Sequence, residues 1–440
     1  MRLLLIAYEF PPSPSPQSLR WTYLARELHL LGHEVHVLTA DLGGETPGLP
    51  ELPAGIRVHR TYPGPTRGML AWLRKRRQRK IDAGLIAAPV APEQDGALLA
   101  EPIRPPRNWK QRVSEGIQAV AQYVHFPDVR GEWRHWGRQR LHALLDTVRP
   151  DIVISSHEPA TTLELGLLAK QRGFRWVADL GDPVLASYTP TRWRRRAETV
   201  ERAVCRSADL LVVTTEATAA LMAARHAAVP RVLVAPQGHD ARRTPALRGH
   251  QLFEAHRLEL LYTGSFYRFR RPDALIAAVM AVPGARLSIA AITVPEAILD
   301  AARRAPDTIR LLGFRPHDAI LDLQRSADVL VNIANDDMTQ IPGKVNEYLG
   351  AGRPLLNIGP AGGPVFDVIA RLQRGWSCDN TADAITKRLA ALAQAKQARA
   401  LDAGLDLTAD AVSDVSWTAI ATRLDAALQS LDTREPVSSG

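Results

Sequence analysis

Short apolar runs alternate along most of this chain with longer stretches in which apolar residues recur every three or four positions. Residues 2–7 form the first run and predict a buried strand. Leu19, Tyr23, Leu24, Leu28 and Leu31 then repeat at helical spacing within residues 18–31, and Gly32 ends the repeat. Residues 35–39 predict the next strand. Strand, helix and strand in such short compass is the repeating unit of a parallel sheet, with a right-handed crossover.

The rhythm breaks over residues 61–140, where Pro102, Pro105, Pro106, Trp109, Trp133 and Trp136 interrupt any period; the pattern predicts an insertion with one or two helices. It resumes with strands at 151–155, 175–179 and 210–214 and helices at 161–172 and 192–207. After a proline and glycine turn at 236–238 and a polar, arginine-rich stretch, a second alternating set begins. Its strands are predicted at 258–262, 286–290, 309–312, 329–333 and 355–358, with helices between them. The expectation is an α/β protein of two doubly wound, Rossmann-like parallel-sheet domains facing a cleft. The first domain spans 1–238 and holds a basic insertion near 61–140; the second spans 239–415. A helix at 416–432 crosses back to pack on the first domain, and 433–440 reads as a disordered tail.

Composition narrows the class. The 440 residues are 46% apolar and 23% charged, as in soluble globular proteins. Cys205 and Cys378 stand alone, giving neither a disulfide framework nor a zinc site, so a reducing cytoplasm is the expected compartment. The opening apolar run is too short for a secretory leader, and no window has the roughly 18 apolar residues of a membrane span. Lysine and arginine number 55 against 46 aspartates and glutamates, an excess that favours anionic partners. Residues 69–80 place Met69, Leu70, Trp72 and Leu73 directly before a polybasic run. Such a segment suits peripheral contact with an anionic membrane, or else a solvated basic helix.

Chemistry concentrates where strands end. Lys344 and Glu347 lie three residues apart on a helix that stops at Gly350, so they share one face. A cation beside a hydrogen-bond-accepting anion suits a nucleotide sugar, whose diphosphate needs positive charge and whose ribose hydroxyls need an acceptor. An ordinary surface ion pair is the alternative. Gly264 permits a turn after a strand, and Arg268, Arg270 and Arg271 surround the start of the helix behind it, a combination able to hold phosphate, or else solvated charge on an exposed loop. Gly362 and Gly363 lie in another strand-to-helix loop whose amides could hold a hydroxyl or phosphate. His157 follows a strand and precedes a helix, placed to donate a hydrogen bond, act as a base or orient a sugar hydroxyl, or else to cap that helix as a structural loop histidine. Asp179 and Asp182 end a further strand and are expected to shape that loop or to face an acceptor. No metal-ligand spacing, dinucleotide fingerprint, P-loop or nucleophile elbow occurs, and no nucleic-acid recognition motif accompanies the positive charge.

With these residues in place, the chain resembles the GT-B glycosyltransferases of the retaining group 1, or family 4, type, which build bacterial polysaccharides and glycolipids. The motifs are Gly32-His-Glu-Val35, Ser156-His-Glu-Pro159, Val234-Ala-Pro-Gln-Gly-His-Asp240 and, most specific, Pro342-Gly-Lys-Val-Asn-Glu-Tyr-Leu-Gly-Ala-Gly-Arg-Pro354. The resemblance implies that Glu347 binds the ribose, that Lys344 and the arginines after Gly264 stabilise the departing diphosphate, and that His157 contacts the donor sugar. It also implies a nucleotide diphosphate sugar as donor, no cofactor or metal, and a lipid-linked saccharide or polysaccharide acceptor at the inner membrane face. Thr339 stands where many members carry a second glutamate, and Pro11-Pro-Ser-Pro-Ser-Pro16 replaces the usual paired glycines. A nucleotide-sugar epimerase of the same architecture and a silent homologue acting as a binding partner are the alternatives.

Overall fold

The computed structural model describes residues 1–13, 15–43, 49–83, 125–243, 252–266, 270–291, 293–335 and 341–432. The chain divides into two compact units. One contains the described residues up to Gln237 together with those from Trp417 onward; the other contains those from Gly238 to Ser416.

The first unit is built on a parallel sheet of β1 (Arg2–Ala7), β2 (Glu34–Ala40), β3 (Arg57–Thr61), β4 (Ile152–His157), β5 (Arg175–Leu180), β6 (Leu210–Val213) and β7 (Val232–Val234). Its order is β3-β2-β1-β4-β5-β6-β7. Successive side chains of a strand face opposite ways. Leu3, Leu5 and Ala7 therefore join one core layer, while Leu4, Ile6 and Tyr8 join another. Both faces of β1 are covered, which is why its sequence is apolar without alternation.

The opening helix runs Pro16–Leu30, starting two residues before the predicted 18. Ser15 caps it by accepting from the Ser18 amide at 3.0 Å, and Pro16 occupies the first turn, where its missing N–H costs nothing. Beside it lies the helix Trp417–Asp432, whose Trp417, Ile420, Leu424, Leu428 and Leu431 form one buried stripe against the same sheet face. Trp417 stacks on Tyr23 with ring centroids 5.4 Å apart. Burial of each large aliphatic in that stripe contributes about 1.5–3 kcal/mol.

Part of the span 61–140 belongs to the regular core. The helix Arg134–Thr147 buries Leu141, Leu144 and Leu145 on the opposite sheet face, and Trp133 donates to the Thr61 hydroxyl at 2.7 Å. The helix Pro65–Asp82 is described as well; residues 84–124 lie outside the described residues.

The second unit is a parallel sheet of β8 (Leu258–Thr263), β9 (Ala285–Ala290), β10 (Ile309–Leu311), β11 (Val329–Ile333), β12 (Leu355–Ile358) and β13 (Gly375–Cys378), ordered β10-β9-β8-β11-β12-β13. Each sheet has one place where chain connections leave in opposite directions: between β1 and β4 in the first, between β8 and β11 in the second. Open parallel sheets bind ligands at the carboxyl ends of such strands. Among the described residues no helix is long and apolar enough to cross a membrane.

Candidate functional site

In the second unit the Lys344 helix follows β11 and stands against the end of β8. Val345, Tyr348 and Leu349 are fully buried and seat this seven-residue helix, Lys344–Gly350, on Leu261, Leu330 and Leu355. The Tyr348 hydroxyl accepts from the Thr263 amide at 2.8 Å, which pins the helix to the end of β8. Gly350 is obligatory for closeness: a Cβ there would lie 2.4 Å from the His239 ring. Immediately after Thr263 the chain turns through Gly264 at φ +93°, a left-handed conformation suited to glycine.

Lys344 and Glu347 share the helix but do not pair. The Lys344 ammonium is buried and has no hydrogen-bond partner. It sits 3.4 Å above the centroid of the Tyr262 ring, its stem passing over Gly264. Burial, and secondarily the nearby Arg270 guanidinium, hold its pKa well below the ordinary lysine value. Arg270 is itself buried and aimed by Asn335, to whose amide oxygen it donates at 3.0 Å, and by the Ser265 carbonyl at 3.1 Å. Two neighbouring cations thus lie at the switch point, and for the buried ammonium the ring quadrupole of Tyr262 is the main compensation. Two buried cations so close together suit an anionic ligand group.

Glu347 faces other partners. One carboxylate oxygen accepts from the buried Gln324 amide at 3.4 Å, and the other lies 3.8 Å from the His317 ring. The carboxylate is largely covered yet loosely held, leaving lone pairs for a diol.

The remaining donor-side residues scatter. Arg271 is exposed, and its backbone carbonyl accepts from Asn380 at 3.3 Å. Gly362, at φ +77°, and Gly363 form the turn after β12 that starts the helix Pro364–Arg371. Arg268 and Thr339 lie outside the described residues.

In the first unit His157 ends β4, at that sheet's switch point, and the Gln17 amide from the opening helix donates to its carbonyl. Its Nδ1 lies 2.9 Å from the Asp182 carbonyl. A carbonyl only accepts, so Nδ1 carries the proton and Nε2 keeps a lone pair. Burial lowers the imidazole pKa, outweighing the pull of Glu158. His157 is therefore a neutral base or acceptor at pH 7. The carboxylate of Asp182 accepts from the Tyr188 hydroxyl at 3.2 Å, and Glu158 lies on the hydroxyl's other side at 3.3 Å.

Asp179, expected to shape its loop or to face an acceptor, is enclosed. Its two oxygens take the Arg20 guanidinium at 2.9 and 3.2 Å, the Trp21 indole at 2.9 Å and the Ser156 hydroxyl at 3.3 Å. Both Arg20 and Asp179 are wholly buried, and Arg20 also donates to the Pro236 carbonyl at 2.9 Å. This carboxylate ties the opening helix to β5 and is closed to ligands.

The sequence reading missed Tyr262, Asn335, Gln324 and His317. A buried glutamine on an otherwise amphipathic helix is the one signal that could have exposed Gln324.

Comparison with known proteins adds the following. Residues 83–238 match the family model described as a glycosyl transferase 4-like domain. No curated protein matches the sequence. Among solved structures, the sucrose-phosphate synthase from Thermosynechococcus elongatus is similar, with a TM-score of 0.68 and 16% identity over 98% of each chain. HepE from Anabaena, solved in complex with UDP, has a TM-score of 0.61 and 14% identity over 98% of this chain and 100% of its own. WaaG, a glycosyltransferase involved in lipopolysaccharide biosynthesis, has a TM-score of 0.59 and 13% identity over 97% and 99%. With the two switch-point sheets and the C-terminal helix completing the first unit, these full-length likenesses establish that the chain has the two-domain GT-B fold.

Proposed function

We propose that the protein is a glycosyltransferase that moves a hexosyl group from a nucleotide diphosphate sugar to an acceptor hydroxyl, with retention at the anomeric carbon and without a metal. The observation that carries this reading is the buried Lys344 ammonium, without a hydrogen-bond partner, beside Arg270, with Glu347 on the same helix. In the transfer, the bond from the anomeric carbon to the diphosphate oxygen breaks and a bond to the acceptor oxygen forms, the acceptor hydroxyl losing its proton. Negative charge grows on the diphosphate, and pre-placed cations stabilise it without reorganising. Glu347 holds the ribose hydroxyls. His157, neutral with Nε2 available, accepts a hydrogen bond from a sugar hydroxyl or takes a proton.

The experiment is a calorimetric titration with UDP, GDP and their sugar conjugates, with and without Mg²⁺. One nucleotide is expected to bind in either condition, and Glu347→Gln to weaken it by about tenfold. Unchanged affinity in that variant would remove Glu347 from the site, and binding only with Mg²⁺ would end the metal-independent reading. Interconversion of the donor sugar without an acceptor would favour the epimerase alternative. No nucleotide binding at all would favour a silent homologue.

The acceptor side carries its own support. On the helix Pro65–Asp82, Met69, Trp72 and Leu73 are 45%, 56% and 48% exposed on one face, and the Arg76 guanidinium lies 5.3 Å over the Trp72 ring. Apolar side chains next to cations on an open face suit the surface of an anionic membrane, which would bring a lipid-linked saccharide or a growing polysaccharide within reach at its inner face. Trp72→Ser should reduce cosedimentation with phosphatidylglycerol vesicles severalfold; full retention would detach this face from the membrane.

A further inference from the structure

A cavity of about 360 Å³, lined by none of the residues assigned above to the donor or to His157, opens at the carboxyl edge of the first sheet. Its walls include Phe10 after β1, Asp41 and Gly43 after β2, Arg60 on β3, and Lys75 and Arg79 on the helix Pro65–Asp82. The wall is built rather than incidental. Arg74 donates to the Leu42 carbonyl at 3.2 Å, and Gly43, at φ +62°, lies so close that a Cβ would come within 2.8 Å of the Ala71 carbonyl. Arg60 is aimed by a hydrogen bond to the Pro11 carbonyl.

Charge in the cavity is unbalanced. Lys75 is matched by Asp41 at 2.5 Å, but Arg60 and Arg79 have no carboxylate in contact among the described residues. Partial desolvation lowers the Arg60 pKa, against the pull of Asp41, so that one carboxylate is shared between Lys75 and Arg60. Exposed guanidinium groups at the rim of a recess, with an apolar wall at Phe10, match a phosphate attached to a less polar body. Because every strand of this sheet is parallel, the cavity lies on the same edge as His157.

We propose that this cavity binds the phosphate or diphosphate group of the acceptor, making the acceptor a phosphorylated saccharide. The inference rests on reading the protein as a transferase and deepens it by naming the acceptor chemistry. The phosphate has two sources, a membrane-borne carrier or a soluble sugar phosphate.

Full-length protein is titrated with inorganic pyrophosphate as wild type, as R60Q/R79Q, as K344Q, and as R76Q/R77Q, which removes equal charge from the helix's outward face. R60Q/R79Q should weaken a pyrophosphate site roughly thirtyfold or more, while K344Q and R76Q/R77Q retain that site. Wild-type behaviour in R60Q/R79Q, or an equal loss in R76Q/R77Q, overturns the proposal. UDP binding is measured on the same samples: its absence throughout would refute the transferase reading while leaving the pyrophosphate result to judge the cavity. Vesicles of phosphatidylcholine doped with dodecyl phosphate separate the sources. Cosedimentation lost in R60Q/R79Q and displaced by pyrophosphate supports a membrane-borne phosphate. Pyrophosphate binding with vesicle association indifferent to the variant supports a soluble one.

Discussion

Replacing Lys344 with methionine is expected to raise the thermal midpoint of the nucleotide-free protein while lowering nucleotide affinity by about a hundredfold. Methionine keeps an unbranched stem over Tyr262 and removes an ammonium that is buried with no hydrogen-bond partner. Relief of a buried polar group that has no hydrogen bond and only aromatic faces to compensate it is worth roughly 1–3 kcal/mol. The lost affinity is the charge-assisted contact with diphosphate, roughly 2–5 kcal/mol at a desolvated site. Calorimetric unfolding beside a UDP titration measures both. A lower midpoint in the variant would mean that the aromatic faces already compensate the ammonium fully, and its assignment as a cation held ready for diphosphate would fall.

The same lysine predicts a proton linkage. Its folded-state pKa is depressed, whereas the unfolded chain protonates it near the ordinary value of about 10.4. Between those two values the unfolded state holds more protons, so this group's penalty on stability is full below the folded pKa and fades as pH rises to the unfolded one. An arriving diphosphate restores the charge. Nucleotide binding at a pH above the folded pKa should therefore take up protons and show a buffer-dependent enthalpy, absent in Lys344→Met.

Asp179→Ala should cost about 3–5 kcal/mol of stability in the first unit, because it leaves the Arg20 guanidinium buried and uncompensated and strips an acceptor from Trp21. The double variant Arg20→Met/Asp179→Leu should recover most of that loss, since a buried ion pair often stabilises no more than apolar side chains of similar volume. Urea unfolding followed by tryptophan fluorescence reads both. If Asp179→Ala unfolds like the wild type, the pair is not the fastening described here.

The strands legible in the sequence are those buried on both faces. Residues 2–7, 258–263 and 329–333 are near-continuous apolar runs because helices cover each side of the sheet. β3 left no such trace: Arg57-Val-His-Arg-Thr61 is an edge strand whose charged side chains reach solvent, and its pairing with β2 is the property that defines it. The helix Arg134–Thr147 was hidden by arginines and tryptophans that look irregular in one dimension. At the site, the Lys344 and Glu347 spacing could be read, yet not that the two side chains turn away from each other. That depends on Tyr262 and Gln324, brought in from a strand and a helix tens of residues earlier. For a like reason the sequence could not decide between a structural and an acceptor-facing Asp179, its partner Arg20 lying 159 positions away.

The helix Trp417–Asp432 has a consequence for how the chain is made. It closes a face of the first unit, yet a ribosome reaches it only after Gly238–Ser416 has been synthesised. At roughly 5–20 residues per second, that face waits on the order of ten to forty seconds for its cover. Throughout that interval Tyr23, Leu24 and Leu28 lack the cover that Trp417, Leu424 and Leu428 later provide, so the nascent first unit is a substrate for chaperones and a hazard for aggregation until translation has passed Asp432.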